Sequence, residues 1–287
     1  MRLTRTFVMA AALVALSASA AFAQSRPLVT EDPEVIGPGQ MLVEAGLDRH
    51  QGVTYPASGL QGNLLRIGTF GLSIGVSSIA EIQLDGGFRD QLTIKNRLAG
   101  APLAGMMTIG EETSTHDVID GVIGAKVRFL SETARRPAMA LKFSTKLPNA
   151  GNESGIGLDT TDFAFQFLSA KTVQSIRVVG NVGFAILGDA TRGDRQNDVL
   201  LYGISMARAI REGVEFVAEM NGRANMRENT PPVATDSLAM MRVGARITRG
   251  PVRLDGALLI GVTERDPSWG VSAGLTWVFK AFTVPVS

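Results

Sequence analysis

The amino-acid sequence predicts an all-β protein, a transmembrane antiparallel up-and-down β-barrel of about 12 strands. Three observations predict it: side chains alternate between apolar and polar over most of the chain, the alternating segments are long, and the connections between them alternate between long and short. Successive side chains of a strand point to opposite faces of its sheet, so each segment has one apolar and one polar face. A tilted strand needs about nine or more residues to cross hydrocarbon, and most of these segments reach that length.

The N-terminus has the pattern of a cleavable export signal. Arg2 and Arg5 give it a positive charge, residues 7–16 form an apolar core too short to span a bilayer, and Ala21 and Ala23 flank Phe22 in a small-x-small cleavage site. We expect residues 1–23 to be removed. Two of the 28 basic residues go with them, leaving 26 against 27 acidic residues. This near-neutral balance disfavours a nucleic-acid partner, and the absence of cysteine excludes disulfides and thiol chemistry.

The predicted mature chain has three parts: an extended N-terminal lead-in at 24–40, the barrel at 41–279 and a short C-terminal tail at 280–287. The predicted strands lie near 41–49, 63–75, 81–95, 117–130, 137–146, 162–170, 175–187, 197–209, 214–224, 237–248, 251–262 and 268–279. The first connection, 50–62, is predicted to be a long polar loop. An even strand number with short turns on one side and long loops on the other is typical of barrels in bacterial outer membranes. We therefore expect outer-membrane lipid and lipopolysaccharide around the barrel.

The two faces of the strands differ in charge. One face carries aromatic and aliphatic side chains with essentially no charge, as expected for a wall that contacts lipid. The other has ten basic and eight acidic residues, which predicts a polar lumen. The candidate lumen-lining residues are Glu44, Arg66, Glu81, Lys126, Arg128, Lys142, Arg177, Glu215, Glu219, Arg223, Arg242, Arg246, Arg253 and Asp255, with Asp48, Asp85, Lys146 and Asp162 on the same face.

These inward charges allow two interpretations. In one, they line a narrow aqueous route and give it a weak selectivity. In the other, they pair across strands and fill a rigid, nearly closed barrel. Some pairing is expected in both cases, because an unpaired buried charge is costly. The sequence leaves both interpretations open.

Several stretches resemble a bacterial outer-membrane family known by the name MetA-pathway of phenol degradation and often called "transporter". They are residues 26–32 followed by Gly37-Pro38-Gly39, residues 124–130, Arg136-Pro137-Ala138 with Lys146-Leu147-Pro148, and residues 219–222. The resemblance implies a channel for passive passage of small, often aromatic or hydrophobic, solutes, with no catalytic residues to transfer. The alternative is a structural or interaction barrel. Outer-membrane barrels commonly end on an aromatic residue that the barrel-assembly machinery recognises, whereas here eight residues follow Phe279.

Enzymatic motifs are weak. Residues 71–75 and 270–274 match G-x-S-x-G, but that motif needs a strand-to-helix turn and both matches lie in or beside predicted strands. His50 and His116 are expected in or beside solvated loops, although His50 and Ser73 could in principle meet across the first hairpin. No zinc-ligand spacing occurs. We predict no enzyme, no metal and no cofactor.

Overall fold

Twelve antiparallel strands form one closed barrel in the computed structural model, which describes residues 26–227 and 230–283. The strands are β1 (Gln40–Tyr55), β2 (Leu60–Gly75), β3 (Ala80–Arg97), β4 (Ser114–Leu130), β5 (Ala138–Lys146), β6 (Asp162–Val173), β7 (Ile176–Gly188), β8 (Gln196–Arg211), β9 (Val214–Asn225), β10 (Leu238–Arg249), β11 (Val252–Gly261) and β12 (Trp269–Lys280). This confirms the predicted fold class. The predicted signal peptide lies outside the described residues, as do the last four residues of the tail.

Each strand pairs with its sequence neighbours, and the barrel closes between the first strand and the last. Gln40 of β1 lies opposite Lys280 of β12, and the ladder continues to Gln51 opposite Trp269. Closure leaves no strand edge exposed, and a lipid environment requires this because an unpaired backbone group there costs several kcal/mol. Among the described residues, no helix is long and apolar enough to cross a membrane.

Large apolar side chains cover the outside of the barrel, and charged ones lie inside. Phe163, Phe184 and Leu254 are 51–53% exposed, whereas the side chain of Lys126 is fully buried. A soluble protein would bury the former and expose the latter. The inverted distribution suits a wall that faces hydrocarbon outside and a polar lumen inside.

The first hairpin differs from the prediction. Residues 50–62 do not form a long loop: β1 continues to Tyr55, β2 begins at Leu60, and only residues 56–59 connect them. The reason is a pair of register shifts, because the β1–β2 ladder is irregular between His50 and Val53 and between Gly46 and Leu47. Each irregularity shifts the inward positions by one residue, so simple alternation ends there although the strand continues.

The two ends of the barrel have connections of different length. At one end, called here the short-turn end, the strands are joined by residues 76–79, 131–137, 174–175, 212–213 and 250–251. At the other, called here the long-loop end, residues 98–113, 147–161, 189–195, 226–237 and 262–268 join the strands, together with the tight connection 56–59. The lead-in enters β1 at the short-turn end, where the Gly39 amide donates to the Gly75 carbonyl at 2.8 Å.

Candidate functional site

The lead-in runs through the barrel lumen. Ile36 donates its amide to the Glu81 carboxylate of β3 at 2.8 Å, and the segment then passes the inner faces of β4 to β9. It reaches β10, where Arg246 donates to the Arg26 carbonyl at 2.7 Å. Residues 26–36 therefore cross the lumen and contact side chains from most of its wall. The sequence predicted an extended segment here and gave it no role.

Glu31 lies at the centre of the contact between lead-in and wall. Its carboxylate is 2.8 Å from the Lys126 ammonium, 3.0 Å from the Lys142 ammonium and 2.9 Å from the Gln83 amide nitrogen. Lys126 also pairs with Glu81 at 3.1 Å. The register aligns these residues, because Glu81 lies opposite Lys126 and Lys126 lies opposite Lys142 across three neighbouring strands. Alternation along each strand aims all three side chains inward.

The pKa of Glu31 reflects this environment. Burial alone would raise the pKa, but the ammonium groups of Lys126 and Lys142, with hydrogen bonds from Lys126 and Gln83, outweigh it. The pKa of this carboxyl therefore lies well below its usual range, and Glu31 is ionised at any ordinary pH. The lead-in thus carries a fixed negative charge into a basic part of the wall.

Backbone groups of the lead-in are also satisfied by the wall. Asn181 accepts from the Glu31 amide at 2.6 Å and donates to the Glu31 carbonyl at 2.8 Å. The Glu219 carboxylate accepts from the amides of Val29 and Thr30 at 2.8–3.0 Å and also pairs with Arg242 at 2.7 Å. A peptide without secondary structure needs such partners when it is buried.

Two further lead-in acids reach wall arginines. Asp32 accepts from the Arg177 guanidinium at 2.7 Å, and Arg177 also pairs with Glu132 of the 131–137 turn at 3.0 Å. Glu34 forms an ion pair with Arg128. All three acidic residues of the described lead-in are thus paired with basic groups of the wall.

Arg26 fills a recess that two glycines leave in the wall. Gly46 of β1 and Gly274 of β12 lie directly opposite each other, and a Cβ built on either would lie 2.3 Å from the Arg26 guanidinium. The guanidinium donates to the Thr69 hydroxyl at 3.3 Å and to the Ala273 carbonyl at 3.1 Å. The carboxylates of Asp48 and Asp255 are 3.8 and 3.7 Å away. Arg26 is therefore a second anchor, held by β1, β2 and β12 where Glu31 is held by β3, β4 and β5.

The remaining candidate residues form two groups. Glu215 lies within 3.9 Å of both Arg246 and Arg253, and Glu44 accepts from Thr276 at 3.2 Å near Arg26. Towards the long-loop end, Arg66 pairs with Asp90 at 2.9 Å, and Arg223 donates to the carbonyls of Ala234 and Asp236. The candidate lumen-lining residues are thus divided among three places: the surroundings of Glu31, the surroundings of Arg26, and the long-loop end.

Sequence analysis overlooked the lead-in acids, but a signal for them existed. The predicted inner face has two more bases than acids, and Glu31, Asp32 and Glu34 with Arg26 give the lead-in a net charge of −2. It also overlooked Asp90 and Asp120, which pair with Arg66 and Lys146. Asp90 was obscured because the alternation of β3 was read without its register shifts. Simple alternation from Lys126 would have placed Asp120 inward.

The hypothesis of a Ser73–His50 pair is wrong. Ser73 lies opposite Leu42 on β1, and His50 lies eight residues further along that strand. At about 3.3 Å per residue, the two side chains are roughly 26 Å apart. The expectation that His50 lies in a solvated loop is also wrong, since it is a buried residue of β1, and His116 lies in β4.

An apolar cluster lies at the long-loop end of the lumen. Val53, Leu60, Leu64 and Leu92 of β1–β3 are buried together, and Tyr55, Ile94, Met107, Ile109 and Ile156 pack against them. Met107, Ile109 and Ile156 belong to loops that fold over this end. The long-loop end therefore combines this apolar cluster with charged residues such as Arg66, Asp90 and Arg223.

No family model matches the chain, and no curated protein matches it in sequence. Its fold matches solved barrels. An outer membrane channel from Pseudomonas putida F1 superposes with a TM-score of 0.63 at 12% identity, over 86% of this chain and 98% of that one. The NanC porin gives 0.48 at 9% identity, over 83% and 98%. The toluene transporter TodX of Pseudomonas putida gives 0.40 at 11% identity, over 92% and 94%. At such identities the likeness concerns the fold alone.

Proposed function

We propose that this chain is a passive channel of the bacterial outer membrane for small, hydrophobic or aromatic solutes, and that its lead-in restricts the route. In this arrangement the short-turn end faces the periplasm and the long-loop end faces outward, as in known barrels of this kind. The proposal depends on one observation. The barrel is closed and apolar outside, and residues 26–36 of the lead-in cross its lumen, where only non-covalent contacts hold them against the wall.

Two features favour a channel over a structural barrel with a permanently closed lumen. The lead-in is not part of the sheet between Arg26 and Ile36, so it can leave without breaking any strand pairing. The partly exposed Tyr55, Ile94 and Ile156, which pack against the buried apolar cluster, would offer a hydrophobic solute an apolar surface that a purely charged lumen lacks. The solute class also agrees with the family that the sequence resembles, the MetA-pathway of phenol degradation family of transporters.

The second candidate is a structural barrel with a permanently closed lumen. The observation that favours it is the density of ion pairs between lead-in and wall, including Lys126 with Glu31 and Arg177 with Asp32. Breaking a buried pair typically costs about 3–5 kcal/mol, so several together can hold the segment firmly.

The experiment compares the mature protein with a variant that lacks residues 26–36. Single-channel conductance in planar bilayers and entry of an apolar fluorescent dye into cells expressing each form are the measurements. A channel predicts measurable activity of the intact protein and a clear increase on deletion. If the deletion variant still assembles as a barrel, and both forms are silent in both assays, the structural barrel is correct.

A further inference from the structure

A pocket lies at the long-loop end of the lumen, apart from the lead-in. Its walls are inward-facing side chains of β1, β9 and β10, namely Tyr55, Arg223 and Leu238, together with the 56–59 connection and parts of three longer loops. The loops contribute Ile156 and Leu158 from 147–161, Ala234 and Asp236 from 226–237, and Arg265 from 262–268. Because strand side chains and loops meet there, the pocket lies on the path between the outside and the lumen.

The size of the pocket limits its ligand. It encloses about 180 Å³. An engineered apolar protein cavity of about 150 Å³ binds benzene, so this space suits one six-membered ring with a small substituent. Tyr55, Ile156, Leu158 and Leu238 provide apolar surface for such a ring.

The charge of the pocket favours an anion. Two arginines and one aspartate line it, so its lining side chains carry one more positive than negative charge. Arg223 uses two N–H groups for loop carbonyls, Nε to Asp236 at 2.9 Å and Nη2 to Ala234 at 2.7 Å. A guanidinium has five N–H donors, so others remain for a ligand. The Arg265 side chain is half-exposed and lies 3.8 Å from the Asp236 carboxylate. Because this ion pair is loose, the guanidinium can also bind an incoming carboxylate.

We propose that this pocket binds a single-ring carboxylate, with the ring against Tyr55, Leu158 and Leu238 and the carboxylate at Arg223 and Arg265. This inference rests on the proposed function, since it makes the pocket the first binding point of the transported solute. It adds to that function an anionic group as a requirement for recognition. Arginine suits this role because its planar fork pairs with a carboxylate through two parallel hydrogen bonds.

The test is calorimetric titration of the purified mature protein in detergent micelles, with empty micelles as the blank. Benzoate has both required features, benzamide lacks the charge and acetate lacks the ring. Benzoate is expected to bind about tenfold or more tightly than either, because the arginines supply a charge-assisted interaction and the ring supplies burial. Equal affinity for benzoate and benzamide would overturn the anionic preference, and no benzoate heat above the blank would overturn the site.

Two pairs of variants locate the binding. Arg265→Gln is expected to weaken benzoate about fivefold and leave benzamide unchanged. Its control, Arg192→Gln, removes another exposed loop arginine that pairs with an aspartate and should change neither. Leu158→Trp fills the pocket and should abolish binding of both rings, whereas Leu98→Trp, at an exposed position outside it, should not. Unchanged benzoate affinity in Leu158→Trp would contradict the assignment.

The same preparations distinguish this inference from the proposed function. If the protein binds benzoate but neither the intact form nor the variant lacking residues 26–36 has channel activity, the binding site is supported and the proposed channel function is rejected. Channel activity without benzoate binding would retain the channel and reject the site.

Discussion

Glu31 of the lead-in and Lys126 of β4, separated by 95 positions in the chain, form a 2.8 Å ion pair in which the lysine side chain is fully buried. Neither group would be stable there alone, because a buried ammonium or carboxylate without a partner loses its hydration. The lead-in is therefore part of the electrostatic balance of the lumen as well as an obstacle in it. Loosening the segment should affect both stability and permeability.

Glu31→Gln should lower the free energy of unfolding by about 3 kcal/mol, at the low end for breaking a buried pair because Lys126 keeps Glu81. Conductance should rise in the same variant. Chemical denaturation in micelles and bilayer recording measure the two effects. Asp194→Asn is the matched control: its partner Arg192 is 58% exposed, and the change should cost under about 1 kcal/mol. Similar losses in the two variants would contradict the central position of Glu31.

Gly274→Ala should release Arg26, because the added Cβ would lie 2.3 Å from its guanidinium. We expect higher conductance with the barrel intact. Gly180→Ala, where a Cβ would meet nothing within 4 Å, is the control and should behave as the unaltered protein. In an Arg26→Ala background the effect of Gly274→Ala should disappear, since residues in contact are not additive. An equal effect in both backgrounds would show that the recess does not act through Arg26.

The contribution of Glu31 to conductance should not change between pH 7.5 and 5. The pKa of Glu31 is held below its usual value, so its contribution to stability is complete above the unfolded value of about 4.3 and is lost only as pH falls through the lower folded value. The acid stays charged, and the pair with Lys126 stays intact, over that window. Recording one channel while the pH is stepped down measures this. A rise in conductance centred between pH 5 and 7 that is absent from the Glu31→Gln variant would contradict this ionisation of Glu31.

Leu258→Arg should destabilise the barrel by about 2–4 kcal/mol in lipid vesicles, because Leu258 lies inside β11, away from both ends of the strand. Leu258 is 46% exposed on the outside of β11, so the charge would face hydrocarbon. Val262→Arg, just beyond the end of that strand, is the control and should cost less than about 1 kcal/mol. Unfolding by urea measures both. Equal, small costs would mean that this surface does not contact lipid.

The sequence could predict the strands because their information is local. Period-two alternation marks Val214–Asn225 and Leu238–Arg249 without knowledge of any partner, and both strands appear close to their expected bounds. The β1–β2 hairpin was mispredicted because Gly52 and Gly68, with φ of +68° and +66°, lie at irregularities that reverse the inward and outward positions. The role of the lead-in depends on pairs such as Glu31 with Lys126, and no local pattern connects residues so far apart.

A reversible cross-link tests the central claim, that the lead-in restricts passage through the lumen, most directly. A Cβ on Gly203 would lie 2.9 Å from the Thr30 hydroxyl oxygen, so Thr30→Cys with Gly203→Cys places two thiols within bonding reach in a chain that has no other cysteine. Combined with Glu31→Gln, this pair should give low conductance when oxidised and high conductance after a reductant is added to the same channel. Formation of the cross-link with identical conductance in both states would contradict the account.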